Sequence, residues 1–397
     1  MLSSELTNIN TSKENYELAS PKPLRILHVV SGMVRAGTET WLMQILRNID
    51  RERFQMDFLV HTNQPCAYDE EIYALGSRII PCVKPSLSKP WVYGSYFKQI
   101  LQTHEPYDII HSHVHYFSGY VLRLAREIGI PVRIAHSHNN QSALETQAGW
   151  LRRLYLDLTR RWIANYATQG LACSRAASAD LFSIHWQSDQ RWQLLYYGID
   201  LKPFEITIDK AAIRAELGIP PEALVIGHVG RFAEQKNHQF LVDIFSEVVN
   251  REPNSLLLLI GEGELRSQIE QKITQLGLME RVIFTGSRPD VPQLMKGAMD
   301  LFLFPSLHEG LGLVLIEAQA AGLPCIFSDV VPAEADVVKG LVQRLSLSQT
   351  PNNWAEIILA KKNLVTIAND FAALKQVNNS LFNLSKSVNK LEAIYAA

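Results

Sequence analysis

Glu309 and Glu317 stand eight positions apart in the segment EGLGLVLIE over 309–317, which follows the apolar run LFLFPS over 301–306. The run reads as a buried strand, Gly310 and Gly312 follow it, and a helix is expected from about Leu311. Backbone N–H groups at such a helix start point into the strand-end crevice, where they can bind a phosphate or a sugar hydroxyl. A carboxylate before the helix and another two turns into it reach different parts of one extended ligand, and carboxylates accept hydrogen bonds from vicinal diols. Glu317 lies among Ile316, Ala318 and Ala320, which argues against a solvated face.

A second group is GHVGRFAEQKN over 227–237. A strand runs into Gly230 and Arg231, and Lys236 arrives five positions later, beside a helix whose expected cap is Asn237. An arginine and a lysine at a strand end neutralise a diphosphate, one through a planar fork and the other as a point charge. A third is the loop between the first strand and its helix, where Gly37 lets a ligand approach the backbone. This loop is no P-loop and no dinucleotide fingerprint, because G-K-[ST] and G-x-G-x-x-G are both absent; GEG over 261–263 fails the same test.

His111, His113 and His115 alternate at one strand end, and His136 and His138 at the next. Alternate residues of a strand share a face, so a metal cluster has to be weighed, but neither segment holds a carboxylate and the expectation is no metal. One of these histidines can serve as a site residue at a strand end, the rest being satisfied polar groups. Helix 150–167 carries Arg152, Arg153, Arg160 and Arg161 with Trp150, Tyr155, Trp162 and Tyr166, a composition suited either to an anionic membrane surface or to a packed helix with a wet basic side.

The elements that must position these residues can be read from the hydrophobic pattern. Short β-rich runs alternate with helix-period runs from Leu24 to about 199, and the alternation restarts after the turn-rich segment 198–205. The implied fold class is α/β, with two doubly wound parallel-sheet domains. The 397 residues suit two such domains, with ligands expected beyond the carboxyl ends of the strands. Balanced charge, 38 basic against 40 acidic residues, excludes a global field for nucleic acid. Cys66, Cys82, Cys173 and Cys325 are scattered, which fits a reducing cytoplasm and no disulfide framework, and no apolar run is long enough to span a membrane.

Taken together, these segments resemble the retaining nucleotide-sugar glycosyltransferases of the GT-B fold, in particular glycosyltransferase family 4 of the capsular and exopolysaccharide type. The resemblance is carried by the Glu309 to Glu317 segment with AQAAGLP over 318–324, the loop 230–237, segments 260–270 and 282–295, and YGID over 197–200; HSHN over 136–139 and 39–50 carry it more loosely. The family's paired glycines are here Ala36 and Gly37. The resemblance implies two Rossmann-like domains facing across a cleft: a tail over 1–22, an acceptor domain over 23–200, a nucleotide-sugar domain over 201–370, and a C-terminal segment 371–397 crossing back to the first domain.

It further implies a UDP- or GDP-sugar as donor substrate, no cofactor and no metal. Arg231 and Lys236 would face the leaving diphosphate, Glu309 the donor hexose, Glu317 the ribose, and Ser287 and Arg288 the base. Backbone amides at Gly310, Leu311 and Gly312 would grip sugar and phosphate. The strand-end histidine beside the sugar falls on His136, with His138 as its rival and His113 as an acceptor-side alternative. The acceptor would be a saccharide or a lipid-linked saccharide, met in the cytoplasm or at the inner membrane face through 150–167. The competing readings are a GT-B sugar-nucleotide epimerase and a non-catalytic sugar-binding protein.

Overall fold

The computed structural model describes residues 22–86, 88–104, 106–140, 149–362 and 370–397; the tail expected over 1–22 lies outside these residues except for Lys22. Seven strands build the first sheet: β1 (Leu24–Val30), β2 (Phe54–Val60), β3 (Ile79–Pro81), β4 (Ile109–Ser112), β5 (Val132–Ser137), β6 (Gln169–Ala172) and β7 (Trp192–Leu194). Six build the second: β8 (Leu224–Val229), β9 (Ser255–Ile260), β10 (Val282–Gly286), β11 (Leu301–Phe304), β12 (Cys325–Ser328) and β13 (Val342–Leu345). Every ladder among them is parallel.

The central strands bury both faces, as β1 (LRILHVV) and β9 (SLLLLI) show, because helices cover each sheet on both sides and leave no place for polar alternation. The sheet orders are β3-β2-β1-β4-β5-β6-β7 and β10-β9-β8-β11-β12-β13. In each sheet the chain leaves the first strand toward one edge and later returns to the strand on its other side. The crevices between β1 and β4 and between β8 and β11 are therefore the switch points at which α/β sheets open a ligand site.

The sequence pattern locates twelve of these strands within a few residues. The edge strand β13 has no such signature: its residues VQRL are partly exposed apart from Leu345, so continuous apolar character is missing. The strand-end histidines divide in the same way. β4 stops at Ser112, and His115 turns into a short helical turn with φ 51°, so it does not share the face of His111 and His113.

The last helix, Leu384–Ala396, packs on the first sheet's layer. Asp50 N–H donates to Glu392 Oε1 (2.9 Å), Ser387 Oγ donates to the Tyr196 carbonyl (2.9 Å) and Lys390 Nζ to the Leu194 carbonyl (2.6 Å). Just before it, Ile199 N–H donates to the Phe382 carbonyl at 2.9 Å. Gly198 permits this approach, since a Cβ there would stand 2.4 Å from Leu384 Cα. Backbone cannot yield as a side-chain tip does, so Gly198→Ala has to displace the helix, at roughly 1–3 kcal/mol. Urea denaturation of that variant is expected to show a lower midpoint than wild type; an unchanged midpoint would contradict this seating of the helix.

Candidate functional site

The loop after β8 and the loop after β11 are fastened together at the second switch point. Asn237 Nδ2 donates to the Pro305 carbonyl (3.1 Å), Gln235 Nε2 to the His308 carbonyl (2.9 Å), and Leu307 N–H to the Gln235 carbonyl (2.8 Å). Across this seam Lys236 Nζ lies 2.6 Å from Glu309 Oε1 and 4.7 Å from the centre of the Phe304 ring. Asn237 thus does not cap the following helix with its side chain; it takes a left-handed backbone (φ 54°) and ties the two loops. On its other flank the β8 loop is joined to the β9 loop, Gly230 N–H donating to the Ile260 carbonyl and Phe232 N–H to that of Glu262, each at 3.0 Å.

Arg231 emerges from this loop exposed; its carbonyl accepts from Ala233 N–H (2.7 Å), while its guanidinium makes no ion pair or hydrogen bond among the described residues. An unpaired guanidinium beside an ammonium, both on a clamped backbone, is an anion receptor ready before the anion arrives. The helix after β11 spans Leu313–Ala320, two residues later than expected, so Gly310, Leu311 and Gly312 form the turn that leads into it. Gly310 is pressed against the first domain: a Cβ there would stand 1.9 Å from the His138 carbonyl oxygen. That contact brings the sequence-predicted residues of both halves to one cleft.

Two carboxyls near the cleft are held close to neutrality. Burial pushes Glu317 up to about 7. Burial also pushes Glu39 up to about 7, against the opposing pull of its own amide and of the Arg231 charge. Glu39 was not singled out from the sequence; its signal is an acidic residue in the first turn of helix Gly37–Asn48, two positions after the glycine that heads it. Gly37 itself has nothing within 4 Å of where a Cβ would be, so its loop leaves open space.

His136 has no exposed surface, and its ring is bonded through Nδ1 to His111 Nε2 (3.0 Å) and through Nε2 to Tyr197 Oη (3.2 Å). The preference for His136 as the contact residue therefore passes to His138, which is partly exposed and borders Gly310. His113, also partly exposed, lies against His138 at 2.7 Å between ring nitrogens. Ser287 is exposed at the end of β10, whereas the Arg288 fork is already filled by Asp290 (2.8 and 2.6 Å) and Glu216 (3.2 Å). The four cysteines are free thiols.

Two parallel Rossmann-like sheets, with their switch points opening on one cleft, define the GT-B architecture. Residues 209–367 match the family Glycosyl transferases group 1, and residues 36–194 match the Glycosyl transferase 4-like domain. EpsF of Bacillus subtilis (strain 168), a glycosyltransferase by name, is 40% identical over 335 residues, 84% of this chain and 86% of EpsF. The chain belongs to the group 1 glycosyltransferases of the family 4 type and is a transferase enzyme. An Escherichia coli relative, UDP-Gal:alpha-D-GlcNAc-diphosphoundecaprenol alpha-1,3-galactosyltransferase, is 26% identical over 77% of this chain and 80% of its own. Among solved structures, Anabaena HepE with UDP and glucose superposes with a TM-score of 0.79 at 21% identity, over 94% of this chain and all (100%) of HepE. WaaG, a lipopolysaccharide glycosyltransferase, gives 0.75 at 20% identity over 94% of this chain and 100% of its own. At such identities these two structures speak for the fold.

The raised Glu317 carboxyl has a consequence for stability. The folded state holds this proton more tightly than the unfolded chain, whose ordinary value is 4.5. Its contribution is therefore full at acid pH and is lost as the pH climbs through about 7. For the ligand-free protein the urea midpoint is expected to fall from about pH 5 to about pH 8, and Glu317→Gln is expected to flatten part of that fall. An identical pH slope in the variant would contradict the assignment.

Proposed function

We propose that this transferase moves a hexosyl unit, with retention of anomeric configuration, from a UDP- or GDP-sugar to a hydroxyl of a saccharide or lipid-linked acceptor, in polysaccharide or glycolipid biosynthesis. The observation that carries the reading is the clamped pair of loops at the second switch point, which presents Arg231 and Lys236 beside Glu309. The named substrates of the E. coli relative, a UDP-hexose and a diphosphoundecaprenol-linked sugar, support the donor and acceptor classes.

The barrier to transfer is departure of a diphosphate from an oxocarbenium-like carbon, and fixed positive charge on that diphosphate lowers it. In this reading Arg231 and Lys236 receive the diphosphate and Glu309 binds the hexose hydroxyls, with the amides of Gly310, Leu311 and Gly312 gripping sugar and phosphate. Glu317 binds the ribose, and its ionised form is then favoured by the ribose hydroxyls that donate to it. Ser287 lies on the base side, where Arg288 acts through Asp290. His138 borders the sugar, with His136 behind it and His113 toward the acceptor. The departing phosphate oxygen takes the proton of the attacking hydroxyl on the same face, so no protein nucleophile is required, and Arg231 and Lys236 supply the positive charge that a metal ion would otherwise bring to the diphosphate. Residues 23–200 form the acceptor wall, 201–370 the donor wall, and 371–397 return to the first.

No described helix is long and apolar enough to cross a membrane. The reading places the enzyme in the cytoplasm with helix Trp150–Tyr166 touching the membrane face. Only Leu156, Thr159 and Ile163 of this helix are buried, while Trp150, Leu151, Leu154 and Leu158 are 70, 64, 58 and 45% exposed beside exposed Arg152 and Arg161. Apolar side chains interleaved with arginines fit an anionic bilayer surface.

Two measurements test these proposals. With a panel of UDP- and GDP-hexoses, nucleoside-diphosphate release by Lys236→Ala or Arg231→Ala is expected to be about a hundredfold slower than by wild type, with the fold intact. Wild-type turnover in either variant would sink the assignment, as would activity that EDTA abolishes and a divalent ion restores. Co-sedimentation with phosphatidylglycerol vesicles, but not with phosphatidylcholine vesicles, is expected for wild type and is expected to be lost in Trp150→Ser with Arg152→Glu. Equal binding of that double variant would rule out this helix as the contact.

A further inference from the structure

The carboxyl edge of the first sheet carries a second opening, on the far side of β1 from β4. It is a cavity of about 260 Å³ lined by residues 61–64, directly after β2, and by residues 82–84, directly after β3. Neighbouring strands are about 5 Å apart, so the cavity lies from the end of β1 by roughly the reach of one or two sugar units. Close contacts connect it with the cleft. A Cβ on Gly32, just after β1, would stand 3.0 Å from Thr62 Cγ2 and 3.3 Å from Cys66 Sγ. The Cys66 thiol feels the charge of Glu39, and Glu39 feels that of Arg231 on the opposite wall.

The polar groups that line the cavity are set to donate. His61 is buried, and burial pushes it down to about 4, so its ring is neutral. Its Nε2 lies 3.0 Å from Tyr93 Oη on helix Pro90–Thr103, while its Nδ1 has no partner among the described residues and keeps contact with solvent. The Tyr93 hydroxyl is itself buried and has no second partner among the described residues. If His61 carried its hydrogen on Nε2, it would donate to Tyr93 and leave the tyrosine hydrogen unmet in the core. With the hydrogen on Nδ1, Tyr93 donates to the bare Nε2, nothing in the core is unmet, and the ring offers an N–H to the cavity. The second tautomer avoids the desolvation cost and is the stable one.

Thr62 Oγ1 already accepts from Gln64 N–H (3.1 Å), so its own hydrogen is free to donate outward. Asn63 and Gln64 add two exposed amides, and the Lys84 ammonium stands exposed at the rim with no ion pair among the described residues. No carboxylate is among the lining residues, and the Cys82 thiol, pushed up to about 11 by burial, is uncharged. The lining therefore holds one positive charge, no negative charge and several hydrogens to give, beside the apolar side chain of Val83. That balance matches an oxyanion carried on a sugar better than a neutral ring of hydroxyls, whose hydrogens also need acceptors.

We propose that this cavity is a subsite of the acceptor wall that takes an oxyanion-bearing sugar, a hexuronate or a hexose phosphate, one or two units from the attacking hydroxyl. The carboxylate or phosphate meets Lys84 and the His61 Nδ1–H, and Thr62, Asn63 and Gln64 meet the remaining oxygens. Assignment of the bound sugar to the acceptor rests on the transferase reading, whereas the binding of an oxyanion rests on the cavity alone.

The probes are sodium glucuronate, glucose 1-phosphate, glucose and inorganic phosphate. Each is added to the full-length protein with UDP and GDP at saturation, so that the second switch point is filled. In 15N-histidine-labelled protein, ring nitrogens are correlated with carbon-bound ring hydrogens, and the His61 signal is identified by its loss in His61→Gln and its shift in Tyr93→Phe. The free protein is expected to show His61 protonated at Nδ1 and bare at Nε2. Glucuronate or glucose 1-phosphate is expected to move this signal saturably at roughly millimolar concentration, and glucose is expected to leave it in place. The tighter of the two acids identifies the oxyanion as carboxylate or phosphate. Lys84→Ala, a substitution at an exposed rim position, is expected to weaken the binding roughly tenfold. A His61 hydrogen on Nε2, a signal that neither acid moves, an equal response to glucose, inorganic phosphate binding as tightly as the sugar acids, or undiminished binding in Lys84→Ala would each overturn the proposal. Wild-type turnover in Arg231→Ala would remove the transferase reading and leave these shifts standing, while silent probes beside slowed Arg231 and Lys236 variants would remove the subsite alone.

Discussion

A lysine ammonium 2.6 Å from a buried glutamate, at the switch point of the second sheet, is the interaction on which the site depends. Taking such a pair out of water is costly unless the surroundings fix it well. The three hydrogen bonds that fasten loop 235–237 to loop 305–308 provide that fixation. They also mean that neither charge needs to rearrange when a diphosphate arrives. The incoming anion meets Lys236 already aimed and Arg231 still unpaired, so the cost of ordering the cations was met during folding.

The two walls of the cleft are electrostatically unlike. The second sheet presents fixed charge to the ligand, while the first presents a layer of imidazoles kept neutral by burial. Gly310 against the His138 carbonyl is the hinge of that asymmetry, since it puts the neutral layer next to the loop that bears Glu309. A chain with 38 basic and 40 acidic residues needs no global field when its anion is met so locally. Glu39 and Glu317, both poised near 7, add groups whose charge a bound ligand can set.

Much of this was legible in the sequence because parallel strands buried on both faces must be continuously apolar, and runs such as SLLLLI admit few other readings. The residues of the second switch point were legible for a related reason: glycines, a lysine and carboxylates directly after such strands have no structural need there. The edge strand β13 was hidden because an edge strand needs no apolar continuity. The role of Asn237 was hidden because its partner, the Pro305 carbonyl, is a backbone atom 68 positions away. Tyr395 escaped for the same reason in stronger form: its hydroxyl meets His111, 284 positions away, and no local spacing encodes that contact.

The central claim is that a nucleoside diphosphate is held at the second switch point by the clamped loops. Hydrogen–deuterium exchange of the whole protein, with and without saturating UDP or GDP, addresses it directly. The account predicts slowed exchange with one of the two nucleotides in peptides covering 230–237 and 305–317, with no comparable slowing at the ends of β1 and β4. Slowing confined to the first sheet, or none at those two loops with any nucleoside diphosphate, would contradict it.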